Sequence, residues 1–155
     1  GLKLVRGAYM EKEREQAELL GYRDPIHSTK EDTDKDYNLA IDYCLSNLDK
    51  LYICAGTHNE FSSSYLAQKM SENGIENSDP RICFAQLLGM SDHISFNLSK
   101  NGYHTAKYVP YGPIKEVLPY LIRRAKENTS VAGQTGRELT LIKKEIKRRK
   151  SGNIS

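Results

Sequence analysis

The chain has 155 residues, 38% of them hydrophobic and 28% charged, with a formal net charge of +3. That suffices for one ordinary soluble domain around a single core. With no apolar run long enough for a bilayer and no secretory leader in view, the expectation is a chain that neither spans a membrane nor is exported.

The elements alternate in chain order. Leu2 to Val5 is short, rich in branched residues and stops at Gly7, which reads as a strand. A charged run from Glu11 to Leu20 ends at Gly21 and predicts a helix with a glycine just past its end. Thr33 with Asp36 three places on resembles a capping box, and Tyr37, Ile41, Cys44, Leu45 and Leu48 mark the buried face of the helix it opens. Leu51 to Ala55 is an apolar run suited to a strand buried on both faces. A helix over Phe61 to Glu72 closes at Asn73 and Gly74. Arg81 to Leu88 reads as a strand, about Ser91 to Leu98 as a short helix, and Thr105 to Val109 as a fourth strand. Such alternation predicts parallel strands with right-handed helical crossovers.

The next helix carries Ile114, Val117, Leu118, Leu121, Ile122 and Ala125 at the intervals of one apolar stripe, expected to be its buried side. Tyr120, Arg123, Arg124 and Glu127 fall opposite. A solvated face explains that pattern, yet Arg123 before Glu127 is the weaker order for a helical ion pair, and two adjacent planar forks suit a carboxylate. Pro119 should kink or restart this helix. Ala132 to Gly136 looks like a linker, and Thr129 to Val131 could form a strand stub. Between Arg137 and Lys150 stand seven basic residues against two acidic ones, so this segment is basic by five charges and the rest acidic by two. A basic tail helix can touch nucleic acid or an anionic membrane. Leu139, Ile142 and Ile146 instead suit a docked terminal helix with a wet basic face. The three cysteines, Cys44, Cys54 and Cys83, sit at wide spacings within apolar stretches. They read as reduced core residues in a cytosol-like compartment, favouring neither a disulfide framework nor a metal site.

The polar and small residues cluster just past the strands: RGAY (Arg6 to Tyr9), GTHN (Gly56 to Asn59), QLLG (Gln86 to Gly89) and YVPYG (Tyr108 to Gly112). In parallel α/β folds, ligands bind beyond the carboxyl ends of the strands. Four such groups at equivalent places point to one site.

In these segments the sequence resembles the carboxyl-terminal half of the catalytic domain of proline dehydrogenases, flavoenzymes with a distorted (β/α)8 barrel. KLVRGAYMEKER, CAGTHN, FAQLLGMSDHISFNL, KYVPYGP and VLPYLIRRAKENTSV carry the resemblance in family order, from the start to about Val131. It implies a domain over 1–131 followed by a linker and basic helix over 132–155. It also implies oxidation of L-proline to Δ1-pyrroline-5-carboxylate, with hydride passing to FAD and electrons to a quinone. On this resemblance Arg123 and Arg124 match the arginines that clamp the proline carboxylate, and Glu127 the acid that supports them. Tyr108 and Leu87 match residues packed on the proline ring. Arg6 takes the place of a basic residue near the flavin, Lys3 stands where many members have arginine, and Ala8 and Met10 follow on a flavin-facing loop. Thr57, His58 and Asn59 match the segment at the ribityl and adenine portions, and Thr29, Lys30 and Thr33 the one beside the phosphates. No metal is implied.

A closed barrel needs eight strands, and four are countable here, so the chain reads as half a site: a fragment, a partner of a separate amino-terminal half, or a self-associating half. The competing reading is a non-catalytic half-barrel module that pairs through open sheet edges; a nucleic-acid or membrane module rests on the tail alone. The expected location is cytoplasmic, with peripheral association to the inner membrane in a bacterium, or mitochondrial in a eukaryote.

Overall fold

The computed structural model describes residues 1–7, 9–130 and 134–151, and the side chains of all of these except 125–130 and 134–138. It comprises two compact units, Gly1–Tyr108 and Val109–Ser155.

In the first unit β1 (Leu2–Leu4), α1 (Met10–Leu20), α2 (Lys30–Leu45), β2 (Ile53–Gly56), α3 (Glu60–Glu72), β3 (Ile82–Leu87), α4 (Asp92–Lys100) and β4 (Thr105–Tyr108) follow one another. The sheet is parallel, in the order β1-β2-β3-β4. Each crossover moves one strand in the same direction, so right-handed connections place every crossover helix on the same face. A doubly wound sheet would reverse its order; this winding belongs to a (β/α) barrel segment.

The core lies between that face and the helices. Ile53, Ala55, Ile82 and Phe84 of the strands pack with Tyr37, Ile41, Cys44 and Leu48 and with Leu66 and Met70 of α3. Ile41, Leu66 and Met70 have no exposed surface, and burying a side chain of this size contributes roughly 1.5–3 kcal/mol.

The structure adjusts several expectations. β2 is buried on one face only: Ile53 and Ala55 are covered, Cys54 and Gly56 half-covered. Of the three cysteines, only Cys44 belongs to the core. Cys54 and Cys83 are register partners on the other face, half-buried, and burial beside Cys54 pushes the Cys83 thiol up. α2 begins one turn earlier than Thr33, because the Thr-x-x-Asp pattern occurs twice in succession. Thr29 is the N-cap, its hydroxyl accepting from the Asp32 N–H and donating to the Asp32 carboxylate. Thr33 sits inside the first turn and donates to the Thr29 carbonyl.

The second unit consists of α5 (Ile114–Ser130) and α6 (Gln134–Lys150). α5 is assigned continuously through Pro119 rather than restarting. Thr129 and Ser130 are helical, so the stub expected there is absent; Val131 lies outside the described residues. Of the expected linker, Ala132 and Gly133 are likewise outside them, and Gln134 already opens α6. The apolar stripe of α5 is not a buried side: Ile114, Leu118, Leu121 and Ile122 are exposed, whereas Tyr120 and Arg124 are half-buried. A unit of two helices has no second layer to cover such a stripe. Leu139, Ile142 and Ile146 of α6 are exposed too, so the docked stripe is not seen. Glu145 bonds Arg148 and Arg149 at 2.8 and 2.9 Å and is held down to about 2 by them. Among the described residues no helix is long and apolar enough to cross a membrane.

Candidate active site

Side chains alternate across a strand, so the residues between the core positions fall on the opposite face of the sheet: Lys3, Cys54, Gly56, Cys83, Ala85, Leu87, Ala106 and Tyr108, matched by register. The core helices α2 and α3 pack on the other side of the sheet. Its middle is lined by small residues, leaving a shallow floor with larger groups at its ends. Lys3 Nζ stands 5.1 Å from the centroid of the Tyr108 ring, a cation–π contact between the outermost strands. Three interstrand spacings of about 4.8 Å separate these strands, so the sheet must curl for a lysine to span them. Leu87 and Tyr108 are direct register partners; Leu87 is buried and Tyr108 about half exposed. Thus the strand alternation and the curl together gather Lys3, Leu87 and Tyr108 on one concave surface.

Gly56 packs against the first strand. A Cβ there would meet the Leu4 carbonyl oxygen, Lys3 Cε and Val5 Cγ1, each at 3.1 Å, so Gly56 lets the first strand lie close.

At the end of β2 three expected site residues are held by different partners. The buried Thr57 accepts, through its hydroxyl, from Arg6 Nη1 at 2.7 Å and from the Asn59 N–H at 3.0 Å. Asn59 is the N-cap of α3: its Oδ1 accepts from the Ser62 N–H, and its Nδ2 donates to Asp34 at 3.4 Å. His58 Nε2 accepts from the Leu87 N–H at 3.5 Å, which leaves the proton on Nδ1 to donate to Ser91 Oγ at 2.9 Å. His58 therefore ties β2 to the loop after β3.

That loop is shaped for the purpose. Ser91 has φ 53°, the sole positive φ among the described non-glycine residues, and is the N-cap of α4, yet its hydroxyl makes no cap bond. It is turned to His58 instead. Lys107 clamps the same loop by donating to the Met90 carbonyl at 2.7 Å and pairing with Asp92 at 2.7 Å. Below it, the buried Gln86 accepts from Ser95 Oγ and donates to the Thr57 carbonyl. Ser91 and Lys107 lay beyond sequence reasoning; the signal for Ser91 was a serine at a helix start, which predicts a cap rather than a histidine partner.

Arg6 is not on the concave surface. It turns into the helix layer, with Nη1 on Thr57, Nη2 on Ser62 Oγ at 2.5 Å, Nε 2.7 Å from Asp34 Oδ1, and Cζ 3.7 Å from the Tyr37 ring centroid. The Nε–Asp34 contact is an ion pair whose angle falls outside hydrogen-bond geometry. Burial lowers the Arg6 pKa from its ordinary value, Asp34 and Tyr37 opposing. Thr29, Lys30 and Thr33 cluster at the start of α2, where Lys30 pairs with Asp34. Met10 is exposed at the start of α1. Ala8 and the Glu127 side chain lie outside the described residues. Arg123 and Arg124 belong to α5 in the second unit, where Arg123 is exposed and Arg124 Cζ lies 5.5 Å from the Tyr120 ring centroid.

A parallel α/β segment wound in one direction, with its polar groups at the carboxyl ends of the strands and a concave face behind them, is part of a barrel-type enzyme scaffold. Comparison with known proteins agrees and narrows it. The family model described as proline dehydrogenase matches residues 1–137, and the chain belongs to the proline dehydrogenase family. Human "Proline dehydrogenase 1, mitochondrial" is 47% identical over 99% of this chain and 26% of that protein. "Hydroxyproline dehydrogenase" of Xenopus laevis is 43% identical over 96% of this chain and 33% of that protein. The solved structure of proline utilization A from Bdellovibrio bacteriovorus, inactivated by N-propargylglycine, superposes with a TM-score of 0.75 at 29% identity, covering 84% of this chain and 13% of that one. The chain thus spans about a quarter of the length of the human relative, and its four parallel strands match part of the barrel in that structure.

Proposed function

We propose that this chain supplies part of the active site of a flavin-dependent enzyme that oxidises L-proline to Δ1-pyrroline-5-carboxylate. The observation that carries the reading is the concave face: an aliphatic and an aromatic side chain in direct register, Leu87 and Tyr108, with the Lys3 ammonium over the ring. A compact apolar ring with a charged end suits that combination.

FAD, the cofactor the family implies, would accept hydride from the ring carbon next to nitrogen and pass electrons to a quinone. The small residues Gly56, Ala85 and Ala106, side by side in register on that face, fit a flat group lying close to backbone. Lys3 would hold a positive charge at that floor, where charge accumulating on a bound ring is stabilised. Thr57, His58 and Asn59 would hold the ribityl and adenine portions; Thr29, Lys30 and Thr33 would lie beside the phosphates; Ala8 and Met10 would line the flavin-facing loop. Arg123 and Arg124 would clamp the substrate carboxylate with paired planar forks, supported by Glu127. Peripheral association with a membrane would bring a quinone within reach.

A second reading, a binding module that pairs through its edges, draws on β1 and β4 each having a single strand neighbour among the described residues.

Steady-state kinetics of Arg124→Met in a full-length enzyme carrying this chain test the proposal, with flavin occupancy measured on the same preparations. Loss of one fork should weaken proline binding by a factor equivalent to roughly 2–5 kcal/mol with normal flavin content, and Arg124→Lys should restore only part. An unchanged Michaelis constant would refute the clamp. 4-Hydroxyproline run in parallel assigns the substrate.

A further inference from the structure

We infer that Arg6 is a positioning residue: its guanidinium holds the Thr57–Asn59 turn in place, and its charge is committed to the helix layer rather than presented to a ligand on the concave face. The inference rests on the reading above only in taking Thr57–Asn59 as the cofactor segment.

Nη1 and Nη2 are hydrogen-bonded to Thr57 and Ser62, Nε is ion-paired with Asp34, and the flat face lies on Tyr37. These partners come from the end of β2 and from α2 and α3, so one side chain links β1 to three other elements. The bonds continue past Arg6. Thr57 Oγ1 also takes the Asn59 N–H, Asn59 caps Ser62 and reaches Asp34, and Ser62 Oγ donates to Asn38. The turn is therefore closed at both ends, by Arg6 at Thr57 and by Asp34 at Asn59. The side chains of Arg6 and Asp34 are only 18% and 24% exposed, so water competes poorly for these bonds. A planar guanidinium donates to Thr57 and Ser62 and pairs with Asp34 while stacking on a ring, which a lysine cannot do. Meanwhile Lys3, three residues earlier and of opposite strand phase, faces the concave surface. Lys3 of β1 and Arg6, two residues past its end, are thus sorted to opposite sides of the sheet.

Positioning and direct charge stabilisation make opposite predictions for Asp34. If Arg6 acts by position, Asp34→Asn and Arg6→Lys fall on the same side: both loosen the turn. Each should raise the dissociation constant for FAD in the full-length protein by about tenfold or more, the double variant should be little worse than either single, and the midpoint potential of bound flavin should stay put. If Arg6 acts by its charge, Asp34→Asn frees that charge and raises the potential, whereas Arg6→Met lowers it.

Hydrogen exchange at residues 57–59, measured without FAD, reads the turn directly. Faster exchange there in Asp34→Asn and in Thr57→Val, with Ile53–Ala55 still protected, is the expected result. Unchanged exchange at 57–59 in both variants, or opposite potential shifts on either side of the Arg6–Asp34 pair, overturns the inference. Should the parent protein bind no FAD, the cofactor reading fails, and the exchange data still decide whether Arg6 holds the turn.

Discussion

Replacing Tyr37 by phenylalanine should stabilise the chain, and more so as the solution becomes alkaline. Tyr37 is 5% exposed, its ring centroid lies 3.7 Å from Arg6 Cζ, and its hydroxyl is buried with no hydrogen-bond partner among the described residues. A buried polar group left unpaired costs about 1–3 kcal/mol. Phenylalanine removes that group and keeps the ring under the guanidinium, so a gain of about 1 kcal/mol is expected at neutral pH. Burial pushes the Tyr37 pKa up to about 12, Arg6 opposing. A pKa raised in the folded state gives stability that is complete below the ordinary value of about 10 and lost as pH rises through about 12. Two units correspond to about 2–3 kcal/mol, so the gap between the Tyr37→Phe variant and the parent should widen by that order across this window. Tyr37→Leu separates the two contributions: it also removes the hydroxyl but gives up the cation–π contact, of about 1–2 kcal/mol when shielded from water, and should be less stable than Tyr37→Phe at every pH. Since the chain contains no tryptophan, urea unfolding is best followed by circular dichroism, from pH 7 to pH 11, by which about half of that widening is expected. A phenylalanine variant less stable than the parent at pH 7, with parallel pH curves, would show that the hydroxyl has a partner and would refute the reasoning.

Gly56→Ala should destabilise by about 1–3 kcal/mol, because the Leu4 carbonyl oxygen 3.1 Å from the new Cβ is backbone and cannot swing away; an unchanged urea midpoint would count against it. Leu66→Ala empties a site with no exposed surface and should cost about 2–5 kcal/mol in the same assay. Asp79 is held down to about 2, chiefly by hydrogen bonds from Arg81. A depressed carboxyl pKa gives stability that is present above the ordinary carboxylate value and lost as pH falls through about 2. Asp79→Asn should therefore melt below the parent at neutral pH, with the two converging in acid; a constant difference from pH 7 to pH 2 would exclude the ion pair as its cause.

What could be read from the sequence, and what could not, follows from the range of the interactions. The strands were legible because short apolar runs such as ICFAQL are bounded by glycine and polar residues. The parallel class followed from the alternation, and the location of the site at the strand ends followed from the class. Helix starts were less secure, because Thr29–Asp32 and Thr33–Asp36 offer the same local signal one turn apart, and the winner is set by where Asp34 must stand to meet Arg6 and Asn59. The apolar stripe of α5 was visible as a period, but a period states only that a face wants cover. Whether cover exists depends on neighbours that no local pattern names.

The hardest feature to read was the direction of a charge. Lys3 and Arg6 differ by three positions and share a sign, an odd separation that would send them to opposite faces were the strand to run on past Leu4. The resemblance brought both to the flavin. The structure divides them, one into a network of partners 28 to 56 residues away and one onto the face lined by small residues. Such partners leave no periodic trace, since Asp34, Tyr37, Thr57 and Ser62 lie on three different elements. Yet the division itself needs little beyond the phase of β1, which Leu4 sets by packing, partly buried, against the core on the strand beside Ala55. Once Leu4 is committed to the core side, Lys3 must face the other way, and Arg6, at the bend two residues past the strand, turns to the side of Leu4. The core packing of one leucine thereby decides which cation can reach a ligand and which can only hold the turn that reaches it.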